Sequence, residues 1–214
     1  RGVRSMRMIK FRIESNASMM FHNSRLANPF NKYTKRLAEL NVKKKSKSVD
    51  KLEVLAEMAH VEWEGGMYHD ETLGPYIPAE VVRASIIGGA KMSRGGASCE
   101  RAVTVIGNRF PLEYDGPRDL DGLWEDERER FVDQRIVGVQ KSKILRTRPI
   151  FSNWAMEFKI GYDENAIAHE DLLRYVQDAG AYAGFGDARK LGFGRWRVTH
   201  IDGKAVGDDL ALAA

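Results

Sequence analysis

The stretch QRIVGVQKSKILRTRPIFSNWAMEFKIGYD, residues 134–163, decides what kind of fold this chain can make. Ile136, Val137 and Val139 lead into Ile144 and Leu145, and Pro149 interrupts the run. From Trp154 to Ile160 the apolar residues then fall at every second position. That period belongs to a strand with one face on a core. Proline cannot donate to a ladder, so the reading is two strands joined by a turn near Arg148 and Pro149, a β-hairpin.

Upstream, MRMIKFRIES (residues 6–15) alternates in the same way, with Ile9, Phe11 and Ile13 on one side. NKYTKRLAEL and SVDKLEVLAEMAHVEWEGG then carry helical patterns. In the second, Ser48 reads as the N-cap, Leu52, Leu55, Met58 and His60/Val61 as the inner side, and Gly65 and Gly66 as the stop. The KKKSK run between them (residues 43–47) is either a solvated inter-helix loop or a finger that touches phosphate. LGPYIPAEVVRASIIGGAKM starts a buried third helix, with Pro78 at its first position. RAVTVIGN reads as a short strand. FPLEYDGPRDLDGLWEDERERFVD reads as a long acidic loop.

Downstream, AHEDLLRYVQDAGAYAG is an amphipathic helix with Leu172, Leu173, Val176 and Ala179 inward. The glycine-rich GFGDARKLGFG follows, then GRWRVTHI as a final strand. Without the helical insertion the order is β-α-β-β-α-β, which predicts an α+β, ferredoxin-like (RRM-like) fold: a sheet with two helices on one face and the other face free. The expected organisation is one domain over residues 6–202, a helical insertion at 23–75 and a frayed tail at 203–214.

Composition narrows the function classes. Hydrophobic residues make up 43% and charged residues 30% of 214, which is globular and not disordered composition. No apolar run approaches the ~18 residues of a membrane span. The basic start lacks the apolar segment of a signal peptide, and the single Cys99 can form no internal disulfide. The expectation is a cytoplasmic protein with no membrane partner and no cofactor. A net charge of +4 favours a polyanionic partner only slightly, so the placement of charge matters more than its sum.

Glycines let backbone N–H groups approach an anion, and Arg189, Lys190, Arg195 and Arg197 lie in or just after the glycine stretch. The alternative is a loop that merely turns. Two motifs bear on the choice. GFGDARKLGFG, with Gly184, Gly186, Gly192 and Gly194 around a five-residue spacer, resembles the C-terminal glycine-rich loop of the RAMP superfamily, the repeat-associated RNA-binding proteins of CRISPR systems. GPYIPAEVVRASIIGGA resembles the helix start of CRISPR effector backbone subunits. Ile77 and Pro78 match, Arg83 lies near the basic position, and Ala79 and Glu80 depart from the usual Gly-Ser. The chain also resembles small stand-alone proteins of phage and prophage genomes.

The resemblance implies RNA binding on the glycine loop and sheet face, with side-by-side assembly of copies or with effector-complex subunits. The residues point the same way. Lys141, Lys143, Arg146 and Arg148 form a basic edge along the hairpin. Phe185, Phe193 and Trp196 are aromatics able to stack on unpaired bases, or else core. An acidic loop opposite a basic edge suits contacts between copies.

Whether the chain is an enzyme stays open, and the reading leans to no. Family members that cut RNA use an Asp after the first strand or a His near the scissile phosphate. Residues 15–31 hold no Asp or Glu, so metal-dependent slicing is not expected. His22, with Arg25, is the one candidate pair for metal-independent cleavage. No histidines or carboxylates show metal-ligand spacing. The expected function is a single-stranded nucleic-acid-binding protein that prefers RNA, with single-stranded DNA as the other substrate. The alternatives are an endoribonuclease using His22 and a phage protein that mimics or blocks a CRISPR complex.

Overall fold

The computed structural model describes residues 6–139 and 142–207. Strand β1 (Met6–Ser15) and the two-residue β2 (Met19–Met20) lead through a 3-10 turn into helices α1 (Lys32–Lys43) and α2 (Lys51–Gly66). Short strands β3 (His69–Asp70) and β4 (Gly74–Pro78) follow, then α3 (Ala79–Met92), α4 (Gly96–Ala102), β5 (Val103–Ile106), β6 (Arg109–Pro111) and α5 (Leu120–Trp124). The hairpin β7 (Val132–Val139) and β8 (Ser142–Phe151) precedes β9 (Ala155–Asp163), α6 (His169–Asp178), β10 (Trp196–Ile201) and β11 (Lys204–Ala205). The architecture is α+β with antiparallel sheets.

The main sheet has the order β11-β10-β1-β9-β5. β1 is central and pairs antiparallel with both β9 and β10, Phe11 lying opposite Phe158 and Ile201. Alternation sets its two faces. Ile9, Phe11, Ile13, Met156, Phe158, Ile160, Trp196 and Val198 are buried with Val82 and Ile86 of α3 and Leu172 and Val176 of α6. The two helices cross closely: a Cβ on Gly89 would lie 2.3 Å from the Tyr175 carbonyl oxygen. A second sheet, β2-β8-β7, and a third, β3-β4-β6, complete the fold.

The hairpin differs from its sequence reading. Residues 136–145 are not one strand: Ile136 pairs with Leu145, Val137 with Ile144, and the chain reverses between Val139 and Ser142. β8 then runs straight through Arg148 and Pro149, where the turn was expected. Pro149 is tolerated because only its carbonyl is needed; it accepts from the Phe21 amide at 2.8 Å. The turn into β9 is Ser152–Asn153, with Asn153 at φ 52°.

Four other expectations are corrected. The N-cap of α2 is Asp50, which accepts from the Leu52 and Glu53 amides; Ser48 lies outside the helix. Its buried side is Val54, Ala59 and Trp63, whereas Leu52 is 78% exposed. Pro78 is the N-cap of α3 and the last residue of β4, not the first helical residue. The acidic segment is built into the fold: Phe110, Leu112, Leu123 and Phe131 are buried, and the Trp63 indole donates to the Phe131 carbonyl at 2.9 Å.

The tail expectation also changes at its start. Lys204 and Ala205 pair with Ile201 and His200, and the turn between them is Asp202-Gly203, both at positive φ. Asp-Gly is the dipeptide a two-residue hairpin turn prefers, so this strand had a local signal. No helix among the described residues is long and apolar enough to cross a membrane.

Candidate nucleic-acid interface

The glycine loop is built from the end of α6 onward. The helix widens into a π-helical turn, Ala179–Ala183, and Gly184 at φ 65° ends it, its amide donating to the Ala179 carbonyl at 2.7 Å. Beyond it, the Phe185 amide donates to Gly194 O, the Gly194 amide to Ser18 O and the Asp187 amide to Met20 O, all within 2.9 Å. The loop is thus laced onto the connection after β1. A 3-10 turn, Arg189–Leu191, forms its tip.

These bonds reassign the glycines. A Cβ on Gly194 would lie 1.9 Å from the Phe185 carbonyl, on Gly186 2.2 Å from the Met20 carbonyl, and on Gly184 2.8 Å from the Gly194 carbonyl. Three of the four are glycine because the chain closes on itself. Only Gly192 faces open space, held to glycine by φ 90°. The same bonds use amides that an anion nest would need, leaving side chains as the main source of positive charge.

Of the expected cations, Arg189 and Lys190 stand exposed at the loop tip. Arg195 does not join them. Its Nη2 donates to the Arg189 carbonyl at 3.0 Å and its Nη1 is enclosed with no partner, so it braces the loop from beneath. Burial, and then Arg189, push its pKa down. Arg83 is also engaged elsewhere, donating to the Glu100 carbonyl on α4 at 2.7 Å.

The basic edge of the hairpin is not one edge. Lys141 lies outside the described residues. Lys143 projects from one side of β8 and Arg146 and Arg148 from the other, since alternate residues of a strand face opposite ways. Arg146 is held by Glu62 of α2 at 2.5 Å, and Arg148 Nε sits 2.9 Å from Asp187 in the glycine loop. The Arg148 contact has poor hydrogen-bond alignment and is an ion pair only, since Nε has no hydrogen-bond partner. With Arg135 of β7 stacked 5.0 Å over the Phe193 ring, it clamps the hairpin to the loop.

The proposed stacking aromatics separate. Phe185 and Trp196 are fully buried and stack on each other at 5.2 Å, so they are core. Phe193 is half-buried under Arg135. The open face of the main sheet offers no replacement. Among the described residues its side chains include Met8, Lys10, Arg12 and Glu14 on β1, Glu157 and Lys159 on β9, Arg197 and His200 on β10, and Thr104 and Ile106 on β5. Ion pairs join Lys10 to Glu157, Arg12 to Glu113 and Arg197 to Glu14 at 2.6, 2.7 and 3.1 Å. That face is therefore largely ion-paired and, among the described residues, presents the His200 imidazole but no Phe, Tyr or Trp ring, which makes it a poor stacking platform.

His22 and Arg25 are engaged in different places. Arg25 donates to the carbonyls of Glu64, Gly65 and Met67, satisfying the C-terminal end of α2, and lies 4.5 Å over the Tyr33 ring. His22 instead lines a hollow of about 250 Å³ with Phe21, Tyr68, Ile77, Glu80, Val81, Ala84, Gly184, Gly186, Asp187 and Arg189. Partial desolvation there lowers its pKa from the ordinary histidine value; Asp187 opposes the shift, and Arg148 and Arg146 add to it. A neutral imidazole is the form that can accept a proton. The sequence kept His22 and the glycine loop apart; β2, whose Met20 bridges Asp187, brings them together.

The acidic loop is partly neutralised from within. Arg130 pairs with Asp126 at 2.8 Å and with Asp115 at 3.5 Å, and Asp119 caps α5. Among the described residues no group of three or more His, Cys, Asp or Glu side chains could hold a metal ion.

No family model matches this chain, and no curated protein matches its sequence. Among solved structures it is similar to a chain in the type III-B Cmr-beta complex bound to cognate target RNA, with 13% identity and a TM-score of 0.47. That likeness covers 91% of this chain and 59% of the other, so the chain spans about three fifths of that neighbour's length.

Proposed function

We propose that this protein binds single-stranded nucleic acid, RNA in preference, at the glycine loop, and that it is a RAMP-like domain of ferredoxin-like topology. The order β10-β1-β9-β5, with α3 and α6 as the crossovers, supports the topology: the first and third strands of a split β-α-β unit are central and the second and fourth flank them. The glycine loop and the start of α3, the two segments that carry the sequence resemblance, meet around one hollow. That meeting is the observation that carries the reading. Arg189, which lines it, and the exposed neighbour Lys190 supply the phosphate contacts, and the hollow takes an unstacked base. The partner surface is the loop side of the molecule; the ion-paired sheet face contributes little.

The test replaces Arg189 and Lys190 with Glu together. Both are exposed and Arg189 engages the fold only through its carbonyl, so the melting temperature should hold while affinity for a single-stranded RNA falls at least tenfold. Unchanged affinity would leave the loop as a turn and nothing more.

A second reading rests on His22. A neutral imidazole in the same hollow as Arg189 has the chemistry of a base beside a phosphate ligand, which is what metal-independent cleavage of RNA at a 2′-hydroxyl requires. Cleavage of labelled RNA in EDTA that His22→Ala abolishes would establish it, and intact RNA would exclude it.

A further inference from the structure

The hollow beside the glycine loop has a chemical pattern of its own. Its walls are apolar: Phe21, Tyr68, Ile77, Val81 and Ala84. Its volume of about 250 Å³ suits one planar ring system and not a stack of two. Besides His22, two charged groups of opposite kind remain. Glu80, in the first turn of α3, makes no hydrogen bond or ion pair within the described residues and offers only acceptors. Arg189 offers only donors. The other carboxylate, Asp187, is occupied by Arg148 and by the Ala188 amide at 2.7 Å.

We propose that this hollow is a guanine-selective base pocket. This inference rests on the nucleic-acid reading above and names the base it takes. Guanine alone among the four RNA bases carries two adjacent donors, N1–H and the N2 amino group, which a carboxylate accepts side by side. Its adjoining edge, O6 and N7, is the acceptor pair that an arginine fork matches. Adenine and cytosine place a bare ring nitrogen where the carboxylate would lie, and uracil brings one donor between two carbonyls. Glu80 is exposed in the free protein, so a base seated in the hollow must cover it; once covered, a carboxylate facing the wrong edge leaves polar groups unmatched. The same carboxylate repels phosphate, so the strand's backbone runs on the Arg189 and Lys190 side and only a base turns inward. The departure from Gly-Ser at Ala79 and Glu80 in the sequence is, on this view, the specificity element.

The experiment measures fluorescence anisotropy of uridine tracts that carry a single central G, inosine, A or C. The G tract should bind about tenfold tighter than the all-U tract, the size of one good bidentate pair. Inosine, which lacks the N2 amino group, should lose most of that gain. Glu80→Gln places an amide donor against a guanine donor and should bring the G-to-U affinity ratio near one. Ala84→Phe, which fills the hollow from α3, should do the same by occlusion, with its melting temperature checked in parallel. Equal affinity for all tracts, or a ratio that Glu80→Gln leaves intact, would overturn the pocket while the nucleic-acid reading stood. Binding to none of the tracts would overturn the reading itself, and the pocket with it.

Discussion

Gly194 and Gly192 sit two residues apart in one loop and are held to glycine for different reasons. A methyl group on Gly194 would meet the Phe185 carbonyl at 1.9 Å, and that carbonyl belongs to the backbone that closes the loop. Gly192→Ala meets nothing within 4 Å and bears only the cost of φ 90°, about 1–2 kcal/mol for a left-handed residue. Gly194→Ala adds the collision to a similar strain and should cost more than about 3 kcal/mol, near the upper end of such penalties. Urea denaturation of the two variants should show this order. A Gly194→Ala protein as stable as Gly192→Ala would mean that the loop is not closed as described.

At the scale of elements, the hairpin and the glycine loop are one unit joined by Arg148 and Asp187. Their side chains are 13% and 35% exposed, against 52% and 41% for Lys10 and Glu157 on the open sheet face. Exposed pairs of the second kind contribute about 0.2–1 kcal/mol. A double-mutant cycle with Arg148→Met and Asp187→Asn should give a larger coupling than the same cycle at Lys10 and Glu157. Equal couplings would show that the clamp carries no weight.

His22 reports on the same clamp. Its folded-state pKa is lowered, so its neutral form is tolerated above the unfolded value and its contribution to stability is lost as pH falls through the folded value. An NMR titration should place its midpoint below that of a free histidine, and Arg148→Met should move it upward. A midpoint at the ordinary value would mean that the hollow is fully hydrated.

For the whole molecule, the charge map predicts the salt response. Many cations are spent inside the fold: Arg25 on α2, Arg146 on Glu62, Arg130 on Asp126, Arg195 beneath the loop. Of the cations expected at the loop and the hairpin, Arg189, Lys190 and Lys143 are the exposed ones left without an acidic partner among the described residues, so a strand held at the loop should show log affinity falling with log salt at a shallow slope. With Arg189, Lys190 and one or two others engaged, about −0.7 per contact gives a total near −2 to −3. A slope much steeper than that would require phosphate contacts on a surface other than the loop.

Much of the fold was legible in the chain because it rests on period. Ile9, Phe11 and Ile13, and Trp154 to Ile160, alternate over enough residues that only a half-buried strand fits, and Leu172 and Val176 mark their helix in the same way. The glycine loop was legible as a place where side chains could not be tolerated. Period says nothing about partners, however. Arg146 and Arg148 read as free cations until Glu62 and Asp187, far away in the chain, were folded against them. Phe185 and Trp196 read as possible stacking rings until the loop turned them into the core. Arg25 stood three residues from His22 in sequence, yet its donors point to the end of α2. The sequence determined the long periodic elements, β1, β9, α3 and α6, and where the backbone needs glycine. The tertiary structure alone decided which charges stay unpaired and which carboxylate, Glu80, faces an open hollow, because pairing and burial depend on contacts between residues that local pattern does not connect.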